Sequence, residues 1–141
     1  MNRAYIYIAI ACAVVVTIIA AYGTYRCNHP DFKDPLTYSL IEGEPWNRFL
    51  DGWSISHYLF YAILAYYFPS YWFYLFLLGA VWEGVEAIFY DHPFYLSDCK
   101  YIIDTDANQR GSGRFWYGKW EDLIMNTLGI ITGVIIARKN N

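Results

Sequence analysis

Charged residues are scarce in this chain of 141 residues, and no stretch of it is basic. Only 16% of the residues are charged, against 57% hydrophobic and 21% aromatic, a mixture that is unusual for a soluble domain. A net charge of -3 without a basic tract offers little to a nucleic-acid backbone, so we expect no nucleic-acid partner. Internal repeats and low-complexity linkers are also lacking, and the length suits a single domain.

Long uncharged runs dominate the sequence instead. Ala4–Tyr25 contains no charged residue, and Gly52–Trp82 contains none except the titratable His57. A helix that crosses the hydrocarbon core of a membrane needs about 20 apolar residues, and Pro69 divides the second run because the residue before a proline disfavours helix. We therefore predict an all-α, polytopic membrane helical bundle, a single domain over residues 1–141. Its four spans are expected at about residues 4–22, 53–68, 70–90 and 120–137.

Two polar connections, residues 26–52 and 91–119, fall on the same side of the membrane in this topology. The first span could instead be a signal peptide, because Arg3 precedes the apolar run, but the length of that run favours a retained span. Cys27 and Cys99 lie in the two connections, and we expect them to form a disulfide if that side is extracytoplasmic. The basic residues leave the orientation open, since most lie in the connections while Arg3 argues the opposite way.

Five polar residues fall at one depth, just below the face that carries the connections. At 1.5 Å per helical residue, His57, Glu83 and Glu86 lie roughly 18, 21 and 25 Å from the hairpin turn. Asp122 and Asn126 lie roughly 22 and 17 Å from that same side in the last span. Glu83 and Glu86 are three residues apart and so share a helix face, where two buried acids need a partner.

These five side chains form a candidate cation site. Carboxylate and amide oxygens suit Ca²⁺, Mg²⁺ or Mn²⁺, and a bound ion would offset the cost of burying two acids. We predict Glu83, Glu86, Asp122 and Asn126 as the metal ligands. His57 would then be free to act as a general base.

Four further residues are candidates for substrate binding. Tyr61 follows His57 by four residues and so can face the same centre, and Asp51 precedes that histidine in the same segment. Arg114 and Lys119 could reach down from the second connection toward a lipid phosphate, or could form ion pairs with the buried acids. For His57 alone, a structural hydrogen bond between helices is the simpler interpretation.

Two more patterns concern packing. Gly129 and Gly133 are four residues apart, a small-xxx-small pattern that lets helix backbones approach closely. Trp116, Tyr117 and Trp120 favour an aromatic belt at the membrane interface.

The segment WEDLIMNTLGIITG is similar to the Asp-x-x-x-Asn-Thr-x-Gly signature of VanZ-like membrane proteins. The order of DGWSISHYLFYAILAYY, WEGVEAIF and WYGKWEDLIMNTLGI also resembles the core of eukaryotic phosphatidylserine synthases of the base-exchange type. The resemblance covers roughly residues 51–133. The second resemblance implies a calcium site formed by the three acids and the amide named above, with the histidine as catalytic base.

These patterns together favour a membrane enzyme that transfers phospholipid head groups and depends on a divalent cation, Ca²⁺ first. Its partner would be a membrane lipid, and a second copy of the chain could be needed to close the pocket. One alternative is a non-enzymatic VanZ-like protein that binds a lipid or another amphiphile. Another is a structural membrane protein, for example of a viral envelope.

Overall fold

The described residues fold mainly into helices. The computed structural model of the chain describes residues 3–29, 32, 34–41, 43, 46–91, 116 and 118–140. Its helices are α1 (Arg3–Asn28), α2 (Trp46–Phe49), α3 (Gly52–Tyr67), α4 (Trp72–Asp91) and α5 (Trp120–Lys139). Two 3-10 turns are present, at Pro35–Thr37 and Pro69–Tyr71. The described residues contain no strand, only an isolated bridge between Ser39 and Asp51, so the all-α prediction is confirmed for them.

Among the described residues, three helical segments are long and apolar enough to cross a membrane: α1, Pro69–Tyr90 and α5. The remaining predicted span, α3, has 16 residues and is about 24 Å long, less than the ~30 Å of a hydrocarbon core. Asp51 fixes its start, because the Asp51 carboxylate caps the helix by accepting from the Ser54 amide. Its end at Tyr67, with Phe68 outside the helical region, agrees with the break predicted from the proline that follows.

α1 continues to Asn28, beyond the predicted end of the first span at Tyr22. The added turns carry Arg26, which was expected in the polar connection and is instead buried. Its guanidinium pairs with the carboxylate of Asp34, and the Tyr22 hydroxyl donates to the same carboxylate at 2.6 Å. This partner, supplied by the segment after the helix, balances the arginine charge and allows the helix to extend.

α1 is fastened near both of its ends. Near its start, Ile8 is fully buried in the core, and the Tyr5 ring lies edge-on to Tyr71 with a centroid distance of 5.1 Å. Near its end, the Tyr22 ring lies 5.7 Å from the Trp53 ring. The start of α1 therefore lies beside the α3–α4 turn, and its end lies beside the start of α3.

α3 and α5 form the most extensive helix pair, and they run parallel. A Cβ atom on Gly129 would overlap the carbonyl oxygen of Tyr58, and one on Gly133 would overlap that of Ala62. Thr132 lies about one turn after Gly129, and the Tyr58 hydroxyl donates to its Oγ1 at 3.0 Å. The small-xxx-small prediction is confirmed, because these glycines let the two backbones touch.

We predict that Gly129→Ala lowers the free energy of unfolding by roughly 1–3 kcal/mol, because the new methyl group forces α3 and α5 apart. Chemical unfolding in detergent micelles, followed by circular dichroism, measures this. Gly84→Ala is the matched control, since a Cβ at Gly84 meets nothing within 4 Å and alanine favours helix. Equal stability of both variants and the parent would contradict the close α3–α5 contact.

Candidate functional site

The predicted polar residues meet where α3 and α5 begin and α4 approaches its end. Ser54 Oγ on α3 donates to Asp122 Oδ1 on α5 at 2.5 Å, and both side chains are buried. One turn further along both helices, His57 Nδ1 lies 3.0 Å from Asn126 Oδ1. Parallel packing of the two helices therefore produces two successive polar contacts across their interface.

Asp51 and Lys119, predicted to bind substrate, pair with each other at the rim of this layer. Lys119 Nζ lies 2.7 Å from Asp51 Oδ2, and their side chains are 10% and 2% exposed. The backbone amide of Lys119 donates to Glu83 Oε2 at 3.1 Å. Gly118 permits this contact, because a Cβ there would lie 2.6 Å from the Glu83 carbonyl oxygen. Asp51 thus has both carboxylate oxygens occupied, one by the lysine and one by the Ser54 amide.

Glu83 is only partly satisfied by these contacts. Its second oxygen, Oε1, lies 3.5 Å from His57 Nδ1. Glu83 Oε1 and Asn126 Nδ2 are both buried, and Asn126 interacts with the Glu83 carboxylate, but neither atom meets strict hydrogen-bond geometry with an atom of the described residues. A buried carboxylate oxygen with so weak a donor is costly, so this position favours a proton or a cation from outside the chain.

Three side chains are arranged as a possible cation group. One ring nitrogen of His57 and one carboxylate oxygen each of Glu83 and Glu86 lie within 4.8 Å of one another. The set differs from the predicted one: His57 joins the two glutamates, whereas Asp122 accepts from Ser54. Asn126 remains beside the group through its contact with His57.

Gly79 and Tyr61 pack beside the cation group, next to Asn126. Tyr61 is 5% exposed, so the prediction that it faces the centre rather than the surface agrees with its burial. A Cβ on Gly79 would lie 3.1 Å from Asn126 Nδ2 and 3.3 Å from the Tyr61 hydroxyl oxygen. Glycine at this position therefore makes room for both polar side chains against α4.

A cavity of about 440 Å³ opens beside the cation group. His57 and Glu86 border it, and Trp82, whose indole donates to Glu86, lies next to them. The remaining walls are mostly apolar and come from α1, α3 and α4. They include Val15, Val16, Ile19, Phe60, Leu78 and Val85.

Some residues that adjoin the candidate site gave no clear signal in the sequence. Trp116, expected in an interfacial belt, is 5% exposed, and its ring centroid lies 6.1 Å from that of Trp82 and 5.4 Å from that of Phe89. For Trp116 the belt prediction is wrong, because its ring packs against aromatic side chains of α4. Glu121 is also buried. Ser54 could have been found from its position three residues after Asp51 and three before the histidine.

Three predicted residues, Cys99, Arg114 and Tyr117, lie outside the described residues. Cys27 is disulfide-bonded, and Cys12 is the free cysteine of the described part.

No family model, curated protein or solved structure matches the chain. The resemblances to VanZ-like proteins and to base-exchange phosphatidylserine synthases therefore rest on the motifs quoted above. They stay predictions.

We predict that Asp51 and Lys119 stabilise the fold as a buried pair. Lys119→Met should lower the free energy of unfolding by about 3–5 kcal/mol, because it leaves a buried carboxylate unpaired. Asp51→Asn combined with Lys119→Met should lose less than the two single changes added together. Unfolding of all four proteins in detergent gives this coupling energy.

Lys139→Met serves as the control for loss of a lysine, since Lys139 is exposed at the end of α5 and its change should stay within ~0.5 kcal/mol. Strict additivity of the two single changes at the pair would assign Lys119 to some other role, such as binding a lipid phosphate.

Proposed function

We propose that this chain is a multi-pass membrane protein that binds a divalent cation through Glu83 and Glu86 and transfers phospholipid head groups. The observation that carries the proposal is the unsatisfied Glu83 Oε1, buried beside His57 and Glu86 at the edge of an apolar cavity. Glu83 thus lies behind His57 and Glu86, which themselves border a space that an amphiphile can fill.

The charge around the group favours a cation. Three acids, Glu83, Glu86 and Asp122, lie close together, while the Lys119 ammonium is already held by Asp51. Carboxylate oxygens suit Ca²⁺, Mg²⁺ and Mn²⁺, and Ca²⁺ is the ion that we propose first. When bound, such an ion would supply Lewis-acid polarisation of a phosphate oxygen.

His57 is placed to handle a proton. Because the amide oxygen of Asn126 can only accept, Nδ1 of the histidine carries the proton in their 3.0 Å contact. This tautomer leaves Nε2 with a lone pair, and the amide holds the ring in place. His57 can then take a proton from an incoming hydroxyl group at Nε2.

In base exchange, the oxygen of the incoming hydroxyl forms a bond to the lipid phosphorus as the bond from phosphorus to the departing alcohol breaks. The incoming hydroxyl loses its proton to His57, and His57 then gives that proton to the oxygen of the departing alcohol. Tyr61 borders the cavity and would orient the reacting groups, while Asn126 would orient the His57 ring.

A second candidate is a non-enzymatic protein that binds a lipid or another amphiphile. The cavity favours it, because apolar walls with a polar end suit binding whether or not a reaction follows. A cation bridging a lipid phosphate to the two glutamates would serve this function as well.

We predict that Ca²⁺ raises the melting temperature of the purified protein in detergent and that Glu86→Gln removes the increase. An ion that binds only the folded state adds roughly 2.7 kcal/mol at ~100 times its Kd. Melting curves across Ca²⁺, Mg²⁺ and Mn²⁺ identify the preferred ion. Glu121→Gln is the matched control: it changes a buried acid outside the group and should keep the increase. An increase that survives Glu86→Gln would contradict this site.

A transfer assay distinguishes the proposed enzyme from the proposed non-enzymatic binding protein. We predict that the protein, reconstituted in phosphatidylcholine vesicles with Ca²⁺, moves labelled serine into the lipid fraction. His57→Gln should abolish the transfer, whereas Tyr58→Phe, which removes only the hydrogen bond to Thr132, should retain it. Cation-dependent stabilisation without any transfer would favour the binding protein.

A further inference from the structure

The apolar cavity beside the cation group is bounded by α1 along one whole side. Cys12, Val15, Ile19 and Tyr22 recur at spacings of three and four, so they form one face of the helix. The opposite walls come from α3 and α4. The long wall of the cavity is therefore the stretch of α1 between its two fastening points.

The contacts of α1 explain why space remains there. Ile8 packs into the core near the start of α1, and Tyr22 contacts Trp53 and Asp34 near its end. Between these points, Val15 and Ile19 border the cavity. From Cys12 to Tyr22 the helix rises about 15 Å, which sets the length of the wall.

The cavity is polar at one end. His57 and Glu86 lie there, only a few residues from the ends of their helices that face the polar connections, whereas Leu78 and Cys12 lie deeper. A molecule that fits is itself polar at one end and apolar along its length. A volume of about 440 Å³ is within the ~300–1,000 Å³ usual for small-molecule sites.

Its rim is open toward the surroundings of the bundle. Ile18 on α1 and Val81 on α4 both line the cavity and are 60% and 63% exposed. In a membrane, these exposed apolar side chains would face lipid tails. A lipid could then enter sideways, between α1 and α4, without leaving the hydrocarbon.

From these features we propose that the cavity holds one acyl chain of a phospholipid whose head group lies at His57 and Glu86. The inference rests on the proposed function, because it takes the lipid head group to be the ligand of the cation group. It adds the position of the chain, the wall formed by α1 and the route of access. The acids at the polar end complement either an amine in the head group or a cation bound to its phosphate.

The test is photo-crosslinking in phosphatidylcholine vesicles that contain a phosphatidylcholine with a diazirine midway along one acyl chain. Mass spectrometry maps the labelled residues. We expect labelling of Phe60 and Leu78 inside the cavity, beside ordinary labelling of the exposed Ile135 on α5. Val15→Trp should reduce the labelling of Phe60 and Leu78 about tenfold by filling the cavity, and should leave that of Ile135 unchanged.

Val14→Trp is the matched control, because Val14 adjoins Val15 but is 52% exposed and lies outside the cavity wall. It should leave all labelling as in the parent. Val81→Trp at the exposed rim provides a second cavity variant if Val15→Trp yields too little folded protein. Labelling of Phe60 and Leu78 that neither cavity variant reduces would overturn the proposal.

The photo-crosslinking experiment and the Ca²⁺ melting experiment can fail independently of each other. Val15→Trp changes no member of the cation group, so Ca²⁺ should still stabilise it. If Val15→Trp reduces the labelling of Phe60 and Leu78 but Ca²⁺ does not stabilise the protein, the acyl-chain site is upheld and the cation-dependent function is refuted. A Ca²⁺ effect with cavity labelling no greater than the surface background would do the reverse.

Discussion

The close parallel contact of α3 and α5 is the constraint on which the rest of the site depends. Gly129 lets the α5 backbone rest against the carbonyl of Tyr58, and this contact sets the register of the two helices. One turn closer to the helix starts, the same register places Asn126 against His57, and one turn closer still it places Asp122 against Ser54. A side chain at Gly129 would separate the helices and so break both polar contacts. The packing of α5 on α3 therefore determines the geometry of the polar contacts one turn away.

Burial of charge then divides the polar residues into two groups. Asp51 has a partner for each carboxylate oxygen, which is the usual condition of buried acids and marks a structural role. Glu83 has a partner for one oxygen only, and Glu86 lies beside it without a described ion pair. Buried acids in neighbouring parts of the site thus differ in what they still require. This difference favours an external ligand at the glutamates and none at the rim.

Helical spacing in the sequence was enough to predict the helix break before Pro69, the shared face of Glu83 and Glu86, and the glycine contact of α5. Each of these depends on local geometry alone. The extension of α1 depends on Asp34, a partner that follows the helix and cannot be read from its apolar pattern. The burial of Trp116 depends on its contacts with the Trp82 and Phe89 rings of α4, which are distant from it in sequence. Pairing and cavities arise between elements, so a single sequence shows which residues could take part but not which contacts form.

The cation group and the cavity explain each other better than either is explained alone. Buried acids can be structural, and an apolar gap can be a packing defect, but here the gap ends at Glu86, next to the incompletely satisfied carboxylate of Glu83. Among the described residues, α1 forms the long wall of the cavity and contributes no member of the cation group. The three members of that group come from α3 and α4, which form the opposite walls of the same cavity. The apolar wall and the polar group are therefore supplied by different helices.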